Sequence, residues 1–404
     1  MEPGAPGLLF RHRPFLIFFW TRALSEFSYQ MAAVAVGWQI YALTHSAFAL
    51  GMAGLVQFLP TAILVLLAGH AADRYERRRV VQLCQLVEGV TAAFLACGSF
   101  SGWLTVPQIF AAVALFGVAT AFEGPAAAAL LPSVLPDGML QKGMALSTGA
   151  FQAAMISAPA LAGVAYAVAP VVPYAVMAML WLLAAILNGA IRSNRPLQAR
   201  EPPTFAGLFA GVGFVRQNPA ILGTISLDLF AVLLGGVTAL LPIYARDILH
   251  TGPWGLGVLR GAPAIGALFM TLVRARFAIK RRAGMRMFQA VIVFGLATVV
   301  FALSQSICVS ILALAVLGAA DTVSVVIRSS LVQLATPEAM RGRVNAVNFL
   351  FINASSQLGE FESGMTAALF GAMPAAVLGG AGTIVVALLW MKLFPALREV
   401  ERLG

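Results

Sequence analysis

Twelve apolar runs, each long enough to cross about 30 Å of hydrocarbon at roughly 20 residues per crossing, follow one another through this chain. They cover approximately residues 15 to 43, 47 to 70, 79 to 100, 104 to 131, 141 to 167, 170 to 191, 219 to 245, 253 to 275, 285 to 304, 307 to 335, 343 to 370 and 374 to 396. Inside a bilayer no water satisfies the backbone, so runs of this length are predicted to be helices. Composition agrees: 60% of the 404 residues are hydrophobic and 10% are charged, which fits an integral membrane protein and excludes a soluble globular one. The first run is far longer than the apolar core of a signal peptide and reads as a retained first span.

The positive charge sorts by loop. Of the 26 Lys and Arg, 22 fall in the two tails and one alternating set of connections, whereas the opposite connections hold Arg246 alone. By the positive-inside rule both termini are expected in the cytoplasm. The net charge of +10 is thereby explained as topology, and nucleic-acid binding loses its support. The longest connection, R-P-L-Q-A-R-E-P-P followed by an amphipathic stretch from Thr204 to Gln217, reads as a linker leading into an interfacial helix. The expected organisation is an N-terminal six-helix bundle (1–191), a cytoplasmic linker (192–218) and a C-terminal six-helix bundle (219–404). Cys84, Cys97 and Cys308 lie in apolar runs without metal-ligand spacing and are expected as small core residues.

The two halves repeat. Shifted by 203 positions, I-Y-A at 40–42 meets I-Y-A at 243–245, Gly54 meets Gly257, Gln57 meets Arg260 and Pro60 meets Pro263. Shifted by 201, Gly117 meets Gly318, Leu130 meets Leu331, Pro136 meets Pro337, Asp137 meets Glu338, Met139 meets Met340 and Lys142 meets Arg343. Two blocks agreeing on nearly one period, charged and Pro positions included, point to two copies of one bundle in the same orientation.

Between spans two and three lies G-H-A-A-D-R-Y-E-R-R-R, Gly69 to Arg79, which reads as a tight basic loop at a membrane face. Its Gly69, Asp73, Arg74, Arg77 and Arg78 fit G-x-x-x-D-R-x-x-R-R. With twelve spans, a parallel six-plus-six repeat and a long central connection, the chain resembles the major facilitator superfamily. V-G-W-Q-I-Y-A-L-T at 36–44 and T-P-E-A-M-R-G-R-V at 336–344 are similar to the branch containing enterobactin exporters and related drug-efflux proteins. Ala71 and Glu76 depart from the leucine and glycine usual in that loop. The resemblance implies an all-α membrane fold and a gating role for the loop. Asp73 would meet backbone N–H groups near Arg343 to Ala346 at a helix start, where an anion is favoured. Arg77 and Arg78 would pair with carboxylates or carbonyls at neighbouring helix ends.

Ionisable groups inside spans are functional candidates because burial there is costly. Mid-depth positions are Arg22 and Glu26, Asp228, Arg260, Asp321 and Arg328, and Glu360 and Glu362. Glu26 and Asp228 are 202 apart and so equivalent in the two repeats. The proton-coupling candidates are Glu26, Asp228, Asp321 and Glu360. Arg22 and Glu26 share a helix face at i, i+4, so an ion pair and a proton site are both open readings for Glu26. Asp228 has no basic neighbour within its span, which favours a proton role. Asp321 and Arg328, seven apart, are about 10 Å distant along the axis and are not expected to pair. Glu88 and Glu123 lie nearer span ends, where packing and interfacial hydration account for them.

Cavity candidates are Arg22, Gln30, Gln57, Gln152, Arg260, Arg328, Asn348, Asn353 and Gln357, with Trp38, Phe151 and Phe349 as aromatic surface. Arg260 would attract an anionic or catecholate group, or pair with Glu360. The chain lacks a Walker lysine loop and H-E-x-x-H, and its four histidines fall in tails or loops. The expected protein is a monomeric, proton-coupled exporter of an amphipathic small molecule in a bacterial inner membrane, without cofactor, catalytic residues or metal, its partners being substrate, protons and the lipid bilayer. A lipid flippase and a non-transporting membrane sensor are the alternatives.

Overall fold

The computed structural model describes residues 9, 12–136, 138–191, 212–276 and 282–398. Among these, twelve helices of 16 to 33 residues carry the fold: α1 (Arg13–Thr44), α2 (Ala47–Arg74), α3 (Arg77–Ser101), α4 (Val106–Val134), α5 (Leu140–Val168), α6 (Val171–Gly189), α7 (Pro219–Leu234), α8 (Gly252–Arg276), α9 (Ala283–Leu303), α10 (Ile307–Ala335), α11 (Glu338–Phe370) and α12 (Ala372–Leu393). Ten of the spans are long and apolar enough to cross a membrane. The other two helices, α1 and α11, are polar ones, with Glu26 and Gln30 in the first and Gln357, Glu360 and Glu362 in the second.

The chain divides into two compact units, Met1–Leu43 with Leu59–Pro203, and Thr44–Phe58 with Thr204–Gly404. In the first, α3 packs against α6 and α4. The core there is aromatic: Trp181 and Tyr174 are fully buried, and the Trp181 ring lies 5.2 Å from that of Phe116. In the second, α10 packs on α8 and α9, and α9 on α12. The buried Tyr244 stacks 4.5 Å from Phe301 and donates its hydroxyl to the Ala302 carbonyl at 3.0 Å.

The repeat seen in sequence is a repeat of packing inside each unit. Thr61, next to Pro60 on α2, donates to the carbonyl of Gly117 on α4 at 3.1 Å. At the equivalent place, Gly318 of α10 lies so close to the backbone of Pro263 on α8 that a Cβ would overlap it. The helix starts are alike in conformation, though two residues off the 203-residue register. His45 and His250, which precede α2 and α8, both take the left-handed conformation at φ 49 and 50.

Three expectations need correction. Gly69 to Arg79 is not an eleven-residue loop: α2 continues to Arg74, and Tyr75 and Glu76 alone separate it from α3. The seventh span is not continuous. After Leu234 the chain passes through a 3-10 turn at Val237–Leu240 and a π-turn at Tyr244–Ile248. The cause lies at Gly235 and Gly236, where added Cβ atoms would meet Phe294 at 2.5 Å and the Gly359 backbone at 2.6 Å. Regular helix yields to close approach there. Of the cysteines, Cys84 is buried, but Cys97 and Cys308 are exposed on helix surfaces. An apolar protein facing lipid places apolar residues outside as readily as inside.

Candidate functional site

In the first unit, Glu123 of α4 is the hub of a polar cluster. It is 5% exposed and accepts from Ser25 at 3.0 Å and from Gln85 at 3.0 Å. The Arg22 guanidinium stands 3.3 Å away. Trp181 of α6 donates its indole N–H to Ser25 at 3.2 Å, so α1, α3, α4 and α6 all converge on this carboxylate. Arg22 also lies 3.8 Å from Glu26, which accepts from Gln30 at 3.0 Å. Both readings of Glu26 thus meet one arginine shared between two carboxylates. Glu88 of α3, 2% exposed, has an Oε2 without a hydrogen-bond partner among the described residues. Arg22 and Glu26 line a cavity of about 60 Å³ with Ser147 and Phe151.

Glu88 and Glu123 were expected to be explained by helix packing and interfacial hydration near span ends, and of the two the packing holds. Both are buried and belong to the cluster. Their depth was set by helix contacts that distance from a loop does not report. A usable signal existed: Gln85 and Glu88 are three apart and share one helix face, too polar for lipid.

The second unit holds another buried pair. Arg328 of α10, 3% exposed, forms an ion pair with Asp228 of α7, 8% exposed. Asp228 therefore does have a basic partner, supplied by a helix a hundred residues away. Arg328 turns to it and not to Asp321, whose residue lines a small cavity with Asp228 and Ser324. Trp390 of α12 donates to Ser226 of α7 at 2.9 Å, repeating the Trp181 to Ser25 bond of the first unit. Arg260 lies 4.0 Å from Glu360, which also accepts from Thr238 at 3.3 Å. Gly54, in the same unit, brings its backbone against this site: a Cβ there would be 3.1 Å from the Glu360 carboxylate.

The remaining candidates are dispersed. Gln57, Gln152, Asn348 and Asn353 are half-buried, and Gln357 has a buried Oε1 without a partner among the described residues. Trp38 is core, buried with its ring 6.5 Å from Tyr166. The side chains of Asp73, Arg343 and Phe349, and so the proposed latch, lie outside what the structure describes. Gly69 and Arg74 lie in the last turns of α2. Arg77 donates to the Ala129 carbonyl on α4 at 3.1 Å, and Arg78 to those of Gly189 and Ile191 at the end of α6 at 3.1 and 2.8 Å. These guanidiniums meet carbonyls near the C-terminal ends of α4 and α6, where cations are favoured.

One buried ion-pair cluster thus stands in each unit, and ionisable groups buried at such positions are candidates for a pathway of ions or solutes. A family model described as transmembrane secretion effector, within the major facilitator superfamily, matches residues 5–403. The chain belongs to that family. It is a multi-pass membrane transporter and not an enzyme. Enterobactin exporter EntS of Citrobacter koseri is 27% identical over 405 residues, covering 98% of this chain and 95% of the relative. Its counterpart in Salmonella typhi is 26% identical over 403 residues, covering 98% and 96%. Among solved structures, a peptide transporter POT superposes with a TM-score of 0.77 at 13% identity, covering 95% of this chain and 94% of that one. Nucleoside transporter NupG gives 0.73 at 15% identity, covering 94% and 99%. These likenesses establish the major facilitator fold.

Proposed function

We propose that the chain exports an amphipathic small molecule bearing an anionic or catecholate group in exchange for protons, by alternating access, in a bacterial inner membrane with both termini cytoplasmic. The observation that carries this reading is a charge imbalance. Glu26, Glu88 and Glu123 lie within electrostatic reach of one another and of Arg22. One guanidinium balances one carboxylate. An unbalanced carboxylate in such a setting costs on the order of several kcal/mol, which makes the cluster a place for a proton to be taken up and released. A substrate or conformational change that draws Arg22 away from Glu123 would alter how many it holds, which couples proton uptake to transport. In the second unit, Asp228, paired with Arg328, is the equivalent switch, and Asp321 beside it is a further carboxylate. Arg260, held near Glu360, offers the cation for an anionic cargo. Export of a siderophore-like molecule also agrees with the names of the full-length relatives.

The test is accumulation of enterobactin in cells with and without the gene, at two external pH values. Lower retention in cells making the protein, with an effect that deepens at the lower external pH, is the expected result. Equal retention with and without the gene would reject enterobactin as cargo, and export indifferent to external pH would reject the coupling.

A further inference from the structure

Two large apolar grooves open on the outer surface, one in each unit. The first, about 530 Å³, lies between α2, α3 and α4; the second, about 780 Å³, lies between α8, α9 and α10. They are copies. Val118, Ala119 and Phe122 line the first where Ala319, Ala320 and Val323, each 201 positions later, line the second. The 203-residue shift that aligns α2 with α8 then exposes a difference. Ala71 of the first groove corresponds to Arg274 of the second, and along α3 and α9, where the shift is 206, Val80 corresponds to Arg286; both arginines line the second groove.

These arginines are unlike the charges of the first groove. There, Arg79 is held by Glu76 at 2.6 Å, so the lining is neutral. Arg274 and Arg286 have no ion pair among the described residues, and their like charges act on one another. Arg274 has an Nη1 shielded from solvent without a hydrogen-bond partner among those residues. The sequence offers little to neutralise them: no Asp or Glu occurs between Asp247 and Asp321. Below the arginines the groove is walled by apolar side chains, with Phe269 and Leu312 more than half exposed. Positive-inside topology accounts for arginines at this face of the membrane; that two of them line one apolar groove sets this groove apart from the first.

We infer that this groove is a binding site for an anionic phospholipid, with Arg274 and Arg286 on the headgroup phosphate and an acyl chain along α8, α9 and α10. Two guanidiniums lining one groove can give one phosphate charge-assisted hydrogen bonds at the membrane face. Basic pockets between membrane helices are the kind that select anionic headgroups. The apolar walls commit the occupant to a lipid, since a free phosphate would leave them empty. The first groove, with its charges paired, takes lipid without headgroup preference.

The test is native mass spectrometry of the full chain, delipidated in detergent, with dioleoylphosphatidylglycerol, dioleoylphosphatidylcholine or inorganic phosphate added. Wild type should retain phosphatidylglycerol at least fivefold more than phosphatidylcholine, and should hold no phosphate adduct. R274Q/R286Q should lose that preference, whereas R79Q, at the other groove, should keep it. Wild-type preference should also fall as salt is raised, a readout that does not depend on the variant folding. Equal retention of the two lipids by wild type, unchanged preference in R274Q/R286Q, or phosphate bound as firmly as lipid would overturn the proposal.

Discussion

Arg22 of α1 reaches across the first unit to stand 3.3 Å from Glu123 of α4, while remaining 3.8 Å from Glu26 on its own helix. One cation thus serves two carboxylates on different helices. The local i, i+4 pair is the longer of the two contacts, so the interhelical one is the better formed.

Removing that cation should be felt in both stability and function. Arg22→Gln leaves Glu123, with its side chain 7% exposed, without its ion pair. Breaking a buried pair costs about 3–5 kcal/mol, and because the arginine is partly exposed a loss of about 2 kcal/mol is expected. Enterobactin flux should fall at least tenfold. Arg22→Lys should retain part of the flux, because it restores the charge without the forked geometry. Thermal unfolding in detergent and proteoliposome counterflow measure the two effects.

The Asp228–Arg328 pair calls for a double-mutant cycle. Asp228→Asn and Arg328→Gln alone each strand a buried partner and should each cost about 3 kcal/mol. The combined variant, with both charges gone, should return to within about 1 kcal/mol of wild type because the pair is one unit. Its transport should stay lost. Recovered flux in the double variant would mean that the pair is structural.

The two indole bonds separate structure from function. Trp181→Phe and Trp390→Phe each remove one hydrogen bond to a serine and should each cost about 1 kcal/mol. Ser25 also donates to Glu123, so Trp181→Phe alone loosens the carboxylate hub. Ser226 instead donates to the carbonyls of Leu222 and Gly223 on its own helix. Flux measured on both variants should therefore drop more for the first.

Close helix contact supplies a control on packing. Gly318 has no room for a Cβ against Pro263, so Gly318→Leu should destabilise by about 2–3 kcal/mol and reduce the amount of folded protein. Gly124 of α4 has open space where its Cβ would stand, and Gly124→Ala should be close to neutral. Fluorescence-detected size exclusion compares them directly.

Most of the fold was legible because hydropathy, loop charge and repeats are local properties. Helix bounds such as Ile307–Ala335 coincide with the apolar run from 307 to 335. The kin of Pro60 and Gly117 in the second half were readable because close helix contacts demand the same small or rigid residues in each copy. The break after Leu234 was missed although Gly235 and Gly236 announce it, because a glycine pair in an apolar run equally marks tight packing. The site was less legible. Which carboxylate meets which guanidinium depends on contacts between helices: Asp228 waits for Arg328, and Glu123 for Arg22, each about a hundred residues away in sequence. Periodicity along one helix carries no record of such partners.

The central claim, that buried carboxylates couple transport to protons, is tested most directly in everted membrane vesicles energised to an acid interior. A pH-sensitive dye reports the gradient while enterobactin is added outside. Wild-type vesicles should lose part of the gradient on addition, and vesicles carrying Glu123→Gln or Asp228→Asn should not. Enterobactin accumulating in wild-type vesicles with no change in the gradient, and equally well after the gradient is collapsed, would contradict the account.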